Sequence, residues 1–233
     1  MDLIVVKTKE EAAKKAVELI GTELKSGRLQ SLGLATGGTM VPIYNELTET
    51  DLDFRDVTAF NLDEYVGLDA EHPNSFAYFM NEHLFNKKKF KDTYIPNGKA
   101  QDLETECQHY EQLLAEHPLD LQLLGVGENG HIAFNEPGTA PTTKTHRITL
   151  TESTIEANSP YFESKEAMPT EALTMGISSI LNARKIVLLA FGEKKRDAME
   201  QFLKGNVTDE CPVTFLKNHP DVTIITDLER LQE

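Results

Sequence analysis

Short apolar runs recur along this chain, each followed by a helical pattern, and that alternation limits the fold more than any other feature. Leu3–Val6, Ser31–Ala35, Val57–Asn61, Leu121–Leu124, Ile186–Phe191 and Val222–Thr226 are each four to six residues long. Runs of that length read as buried strands. After the first, Thr8 and Glu11 form a capping box. Ala13, Ala16, Val17, Ile20 and Leu24 then follow at helical spacing, which predicts a helix to about Lys25. Strands alternating with helices predict an α/β fold: a doubly wound, mostly parallel, Rossmann-like sheet in three α/β/α layers. The 233 residues fit a single domain, 1–233, without forcing a second.

Sheets of this kind bind ligands beyond the carboxyl ends of their strands, at a topological switch point. Four segments with chemical potential follow strand ends. Thr36-Gly37-Gly38-Thr39 leaves the second run and leads into a helix with Pro42 in its first turn. Free backbone N–H groups and the helix dipole there suit a phosphate. The same loop is also what a tight βα turn needs, and the residues leave both readings open. Asp63-Glu64-Tyr65 lies just past the third strand, where a carboxylate either faces water or serves a cleft as a base. Gly125 to Gly138 reads Gly-Val-Gly-Glu-Asn-Gly-His-Ile-Ala-Phe-Asn-Glu-Pro-Gly. Its glycines at Gly125, Gly127 and Gly130 let backbone pass close to other groups. It places Asn129, His131 and Glu136 within eight positions. An imidazole with a carboxylate beside it can move a proton near neutral pH. Glu193-Lys194-Lys195-Arg196 opens a late helix, where cations oppose the dipole. That pattern suits a bound anion or an exposed basic turn.

The net charge of −15 argues against nucleic acid and anionic membranes as partners. Any anionic ligand gets no help from the long-range field and must be held by local donors. No apolar run reaches the roughly 20 residues of a membrane helix. Met1 to Lys9 lacks the pattern of a secretion signal, and the two cysteines, Cys107 and Cys211, read as reduced thiols, so the expected location is cytoplasmic. No His, Cys or acidic spacing suggests a metal site. Phe76, Phe79, Met80 and Leu84 form an apolar stripe expected in the core, and Lys87 to Lys91 a solvated loop. Residues 151–183 read as two helices, a polar one near Thr151 to Ala157 and one after Pro169 carrying Leu173, Ile177 and Ile180.

The Gly125–Gly138 string closely resembles the signature of glucosamine-6-phosphate deaminases, also called isomerases. Asn61-Leu62-Asp63-Glu64-Tyr65-Val66-Gly67 is a second string similar to that family. The resemblance covers essentially the whole chain. It implies that glucosamine 6-phosphate and water become fructose 6-phosphate and ammonia. His131 would open the ring, Glu136 and Asn129 would orient or tune it, and Asp63 would move the C2 proton to C1. Thr36, Gly37, Gly38, Thr39 and Lys195 would hold the phosphate, and Gly127 would lie against the substrate. No metal or organic cofactor is needed for that route. Residues 146–183 would form a lid. Glu64 receives no role.

The chain departs from the family at three places. Met40 stands where many members have proline, Ile155 where an arginine commonly grips phosphate, and Asn129 where many longer members carry aspartate. The sequence ends soon after its last strand, which suggests a short, non-allosteric form and a monomer in preference to a hexamer. Lys144 lies where longer members bind an effector and takes no such role here. The rival readings are a 6-phosphogluconolactonase-like hydrolase, which would not need the Asp63 string, and a non-catalytic sugar-phosphate sensor, which would have no reason to keep Asp63, His131 and Glu136 together.

Overall fold

A computed structural model describes residues 1–229 and 231. The chain runs β1 (Asp2–Val5), α1 (Lys9–Lys25), β2 (Ser31–Leu34), α2 (Val41–Glu49), β3 (Phe54–Asn61), β4 (Asp63–Tyr65), α3 (Phe76–Met80), β5 (Phe90–Tyr94), α4 (Leu103–Glu116) and β6 (Leu121–Gly125). It continues through β7 (His146–Thr149), α5 (Glu152–Asn158), β8 (Glu171–Thr174), α6 (Ile177–Leu181), β9 (Ile186–Ala190), α7 (Arg196–Lys204) and β10 (Val222–Thr226). Thr8 caps α1 by accepting the Glu11 N–H, but Glu11 returns its carboxylate to the N–H of Lys7 rather than to that of Thr8.

Among the described residues, seven strands form one sheet in the order β1-β10-β9-β6-β2-β3-β5. Every pairing in it is parallel. Helices flank this sheet in the expected three-layer arrangement. The inner strands are largely buried because both faces are covered, and β9 and β10 are buried at every residue, whereas the edge strands β1 and β5 are partly exposed. β2 leads rightwards to β3, whereas β6 leads leftwards to β9, so the switch point lies between β2 and β6. Those two strands share only the pairs Leu32↔Leu121 and Gly33↔Gln122, and they part toward their carboxyl ends. Gly33 is required inside β2, because a Cβ there would lie 2.0 Å from the Gln122 side-chain oxygen.

A second sheet was not legible in the sequence. β4, β8 and β7 pair antiparallel in that order. Its apolar side packs Tyr65, Phe134, Leu150, Met168 and Ala172 into a core of their own. The second helix expected within 151–183 is therefore corrected: Glu171–Thr174 is the central strand of this sheet, and only Ile177–Leu181 is helical. Leu173, Ile177 and Ile180 do fall at helical spacing, but the strand's partners come from segments far away in sequence. The apolar stripe after Ser75 also divides. Met80 and Leu84 are in the main core, whereas Phe76 and Phe79 are only partly buried.

Candidate active site

A cavity of about 250 Å³ opens at the carboxyl ends of β2, β6 and β9, over the switch point. Each wall is a consequence of local sequence. β2 ends at Leu34, and the Tyr44 hydroxyl donates to the Ala35 carbonyl at 2.5 Å, pinning the chain as it leaves the sheet. Thr36 to Thr39 then turn into α2, with Gly37 at φ +103° and the Met40 N–H closing a turn on the Gly37 carbonyl. A Cβ at Gly37 would touch nothing, so it is the left-handed backbone that calls for glycine. The N–H groups of Gly38 and Thr39 donate to no protein acceptor among the described residues. They sit at the entry to a helix whose dipole adds positive potential.

Asp63 lines the same cavity from β4 and is 7% exposed. Burial raises its carboxyl, with the adjacent Glu64 adding to the effect, to about 8. Such a group is a far stronger base than an exposed aspartate once it loses its proton.

The third wall is the glycine-rich stretch after β6. The Gly127 N–H donates to the His131 carbonyl at 2.8 Å, and the Gly130 N–H to the Gly127 carbonyl at 3.1 Å. This tight loop folds the His131 ring directly over Gly127, where a Cβ would lie 2.3 Å from the ring. Asn135 fixes the following turn through the carbonyls of Ile132 and Met175. Glu136 stands behind the histidine, away from the cavity. Its Oε1 is 3.4 Å from His131 Nδ1 and accepts the Thr154 hydroxyl at 2.6 Å, and its Oε2 accepts the Asn129 amide at 2.7 Å. The Asn129 carbonyl oxygen accepts the His131 backbone N–H at 3.1 Å. Burial works to raise the Glu136 carboxyl, but His131, Thr154 and Asn129 together hold it down at about 2. The carboxylate is therefore a fixed negative charge beside the imidazole.

Lys195 completes the ring of donors. Gly192, at φ +88°, turns the chain out of β9, and Lys195 enters the cavity from the single turn before α7. Burial lowers its ammonium pKa, with Glu128 opposing and Lys194 assisting. Its basic neighbours are otherwise engaged, Lys194 with Glu128 at 3.4 Å and Arg196 with Glu193 at 2.6 Å. Among the described residues lining the cavity, Lys195 is the only lysine or arginine. Ile155, where the resemblance implies an arginine, packs against the smaller core. Asn158, at the end of α5, reaches the cavity instead.

Eight of the site residues singled out in the sequence, Thr36, Gly37, Gly38, Thr39, Asp63, Gly127, His131 and Lys195, line this cavity, with Asn129 and Glu136 immediately behind His131. A model of the glucosamine-6-phosphate isomerases/6-phosphogluconolactonase family matches residues 6–225. The glucosamine-6-phosphate deaminase of Listeria monocytogenes serotype 4a (strain HCC23) is 54% identical over 98% of both chains. The chain belongs to the glucosamine-6-phosphate isomerase/6-phosphogluconolactonase family.

Within this family the similarity is uneven. The glucosamine-6-phosphate deaminase of Lactobacillus johnsonii is 50% identical over 97% of this chain and 95% of its own. A solved glucosamine-6-phosphate deaminase described as monomeric superposes with a TM-score of 0.95, at 42% identity over 98% of both chains. The 6-phosphogluconolactonase of Trypanosoma brucei, at 18% identity and a TM-score of 0.80 over 97% of this chain and 95% of its own, shares the fold alone. Sequence reasoning missed Phe76, Asn158 and Thr154 in this family site. Helical spacing alone places Phe76 in the core; it packs against the smaller core, on Tyr65 and Phe134, and also forms a cavity wall. Thr154 and Asn158 carried no signal, because their partners lie on a different segment.

Proposed function

We propose that this chain converts glucosamine 6-phosphate and water to fructose 6-phosphate and ammonia. The observation that supports it most is a buried, basic Asp63 in one cavity with the His131–Glu136 pair and a phosphate-type loop. The phosphate is held by the Gly38 and Thr39 N–H groups, the threonine hydroxyls and Lys195. His131 moves a proton from the O1 hydroxyl to the ring oxygen, which breaks the C1–O5 bond and frees the aldehyde. Glu136 balances the charge on the imidazole during that transfer. Asp63 then takes the proton from C2 while O1 gains a proton, giving an enolamine, and returns its proton to C1. The amine gives up one N–H proton in exchange for the one taken by O1, so C1 is reduced to an alcohol while the C2 amine becomes an imine. Water adds at C2, ammonia leaves, and the ketone remains. Each positioned acid or base contributes typically about 10² to 10⁴ in rate.

A lactonase acts on an ester carbonyl and has no carbon-bound proton to remove, so it has no use for a buried Asp63. We read 146–183 as a lid over the substrate, since Thr154 touches Glu136 and Asn158 reaches the cavity from that segment. We also read the enzyme as a monomer, as its solved relative is described. Both cysteines are buried and unpaired, which suits a reducing, cytoplasmic setting. No helix of the described residues is long and apolar enough to cross a membrane.

The test is ammonia release from glucosamine 6-phosphate, with fructose 6-phosphate assayed in parallel, for the wild type and Asp63→Asn. Equimolar products from the wild type, and neither from a variant that still binds substrate, are expected. A folded, substrate-binding wild type that releases no ammonia overturns the assignment.

A further inference from the structure

Glu64 is a buried carboxylate, 3% exposed, with no task in the reaction above. Side chains alternate along a strand, so Asp63 and Tyr65 share one face of β4 and Glu64 points to the other. It reaches the first turn of α3. Its Oε1 accepts the N–H of Tyr65 at 2.8 Å and of Phe76 at 3.0 Å, and its Oε2 accepts the N–H of Ala77 at 2.9 Å. The next helical N–H, from Tyr78, goes to the Ser75 hydroxyl at 3.0 Å. The opening N–H groups of a helix have no partner within it. Here two of them are satisfied by a side chain from the strand that carries the candidate base. Phe76 is the first residue of α3 and lines the cavity that Asp63 faces.

We propose that Glu64 is a positioning residue: its carboxylate locks β4 to α3 and so holds the Asp63 carboxyl and the Phe76 ring in register around the substrate. This rests on the reading of Asp63 as the base that removes the C2 proton. Three N–H donors converge on an acceptor, and an ionised carboxylate is the side chain that meets all of them without presenting a donor of its own. Burial raises the Glu64 carboxyl, and those three N–H groups oppose the rise. Its charge also acts on Asp63, reinforcing burial in raising that carboxyl. The remaining titratable groups around Asp63 are the Tyr65 and Tyr110 phenols, both raised by burial and then by Asp63, and, lining the same cavity, His131 and Lys195. Of these, only the Tyr65 phenol also feels the Glu64 charge, and the variants at Glu64 leave His131, Lys195 and Tyr110 in place.

Steady-state kinetics across pH on Glu64→Gln, Glu64→Asp, Asp63→Asn and the wild type test this, with thermal melts to identify folded variants. Glu64→Gln keeps the shape but loses the charge and one acceptor. It is expected to lower kcat about tenfold or more, with a smaller change in KM, and to move the acid limb of the kcat/KM profile down by about one pH unit. Glu64→Asp keeps the charge but falls short of α3, so kcat drops while the acid limb stays in place. Should Glu64→Gln not fold, a folded Glu64→Asp with wild-type kcat overturns the proposal by itself. A Glu64→Gln enzyme with wild-type kcat and a superimposable profile also overturns it. An active Asp63→Asn removes the parent reading and this one together. An inactive Asp63→Asn beside unchanged Glu64 variants removes this inference alone.

Discussion

At His131 the ring Nδ1 lies 3.4 Å from Glu136 Oε1, and the same carboxylate is gripped by Asn129 and Thr154. A histidine that shuttles a proton during ring opening passes through a cationic form. A fixed anion at that distance stabilises the cation in a site partly shielded from water, where Coulomb attraction is stronger than in bulk. Because the Glu136 carboxyl is held down at about 2, the anion is present throughout any physiological pH range. Glu136→Gln keeps the size and removes the charge. We expect kcat to fall by about 10², with KM changed much less, since phosphate contacts are untouched. Initial rates at saturating substrate check this, and a kcat within twofold of wild type would sink the counter-ion role. Asn129 cannot ionise, so it leaves that charge to Glu136 and instead ties the His131 backbone to the carboxylate.

The elements that make up the site differ in how far sequence alone reveals them. β2 with its Thr36–Thr39 loop, and β6 with its glycine-rich turn, are legible because strand, turn and functional side chain are contiguous. The alternation of runs and helices likewise gives the parallel sheet. The small sheet is not legible, since β4, β7 and β8 come from separate regions and are only three or four residues each. Glu171–Thr174 looks helical until its pairing with both neighbours is known. Yet this sheet joins the two halves of the chemistry. β4 carries Asp63, and β7 leads into α5, whose Thr154 hydroxyl reaches Glu136. Thr154→Val removes that hydroxyl with almost no change of shape. A hydrogen bond to a charged group contributes about 1.5–3 kcal/mol. Losing it is expected to slow turnover roughly three- to tenfold, through a less well fixed Glu136, while leaving KM within about twofold. Parallel kcat and KM measurements decide, and a change confined to KM would place Thr154 in substrate binding instead.

For the molecule as a whole, the site sets two opposing slopes of stability against pH. Asp63 titrates near 8 in the folded chain against an ordinary value of 3.8, so between about pH 4 and 8 the folded state binds more protons than the unfolded one. Stability from this group is full below about pH 4 and declines as pH rises through that window. Glu136 runs the other way. Its folded value of about 2 lies below the ordinary 4.5, so its contribution is present above about pH 4.5 and is lost as pH falls toward 2. The net charge of −15 at neutral pH adds self-repulsion on the alkaline side of Asp63's window. Burying the base strengthens it but makes the fold bear the cost of ionising it, a trade between activity and stability. Asp63→Asn removes the first slope. Its melting temperature should match the wild type near pH 4 and exceed it increasingly toward pH 8. One unit of pKa shift corresponds to about 1.4 kcal/mol, and for a chain of this size each kcal/mol moves the midpoint by about 2–4 °C. A gain of about 10 °C or more at pH 8 is therefore expected in an enzyme that no longer releases ammonia. Thermal melts of both proteins at half-unit steps from pH 4 to 8 measure it. An offset that stays constant across the series would mean that Asp63 is ionised in the folded chain at neutral pH, and that burial is not the source of its basicity.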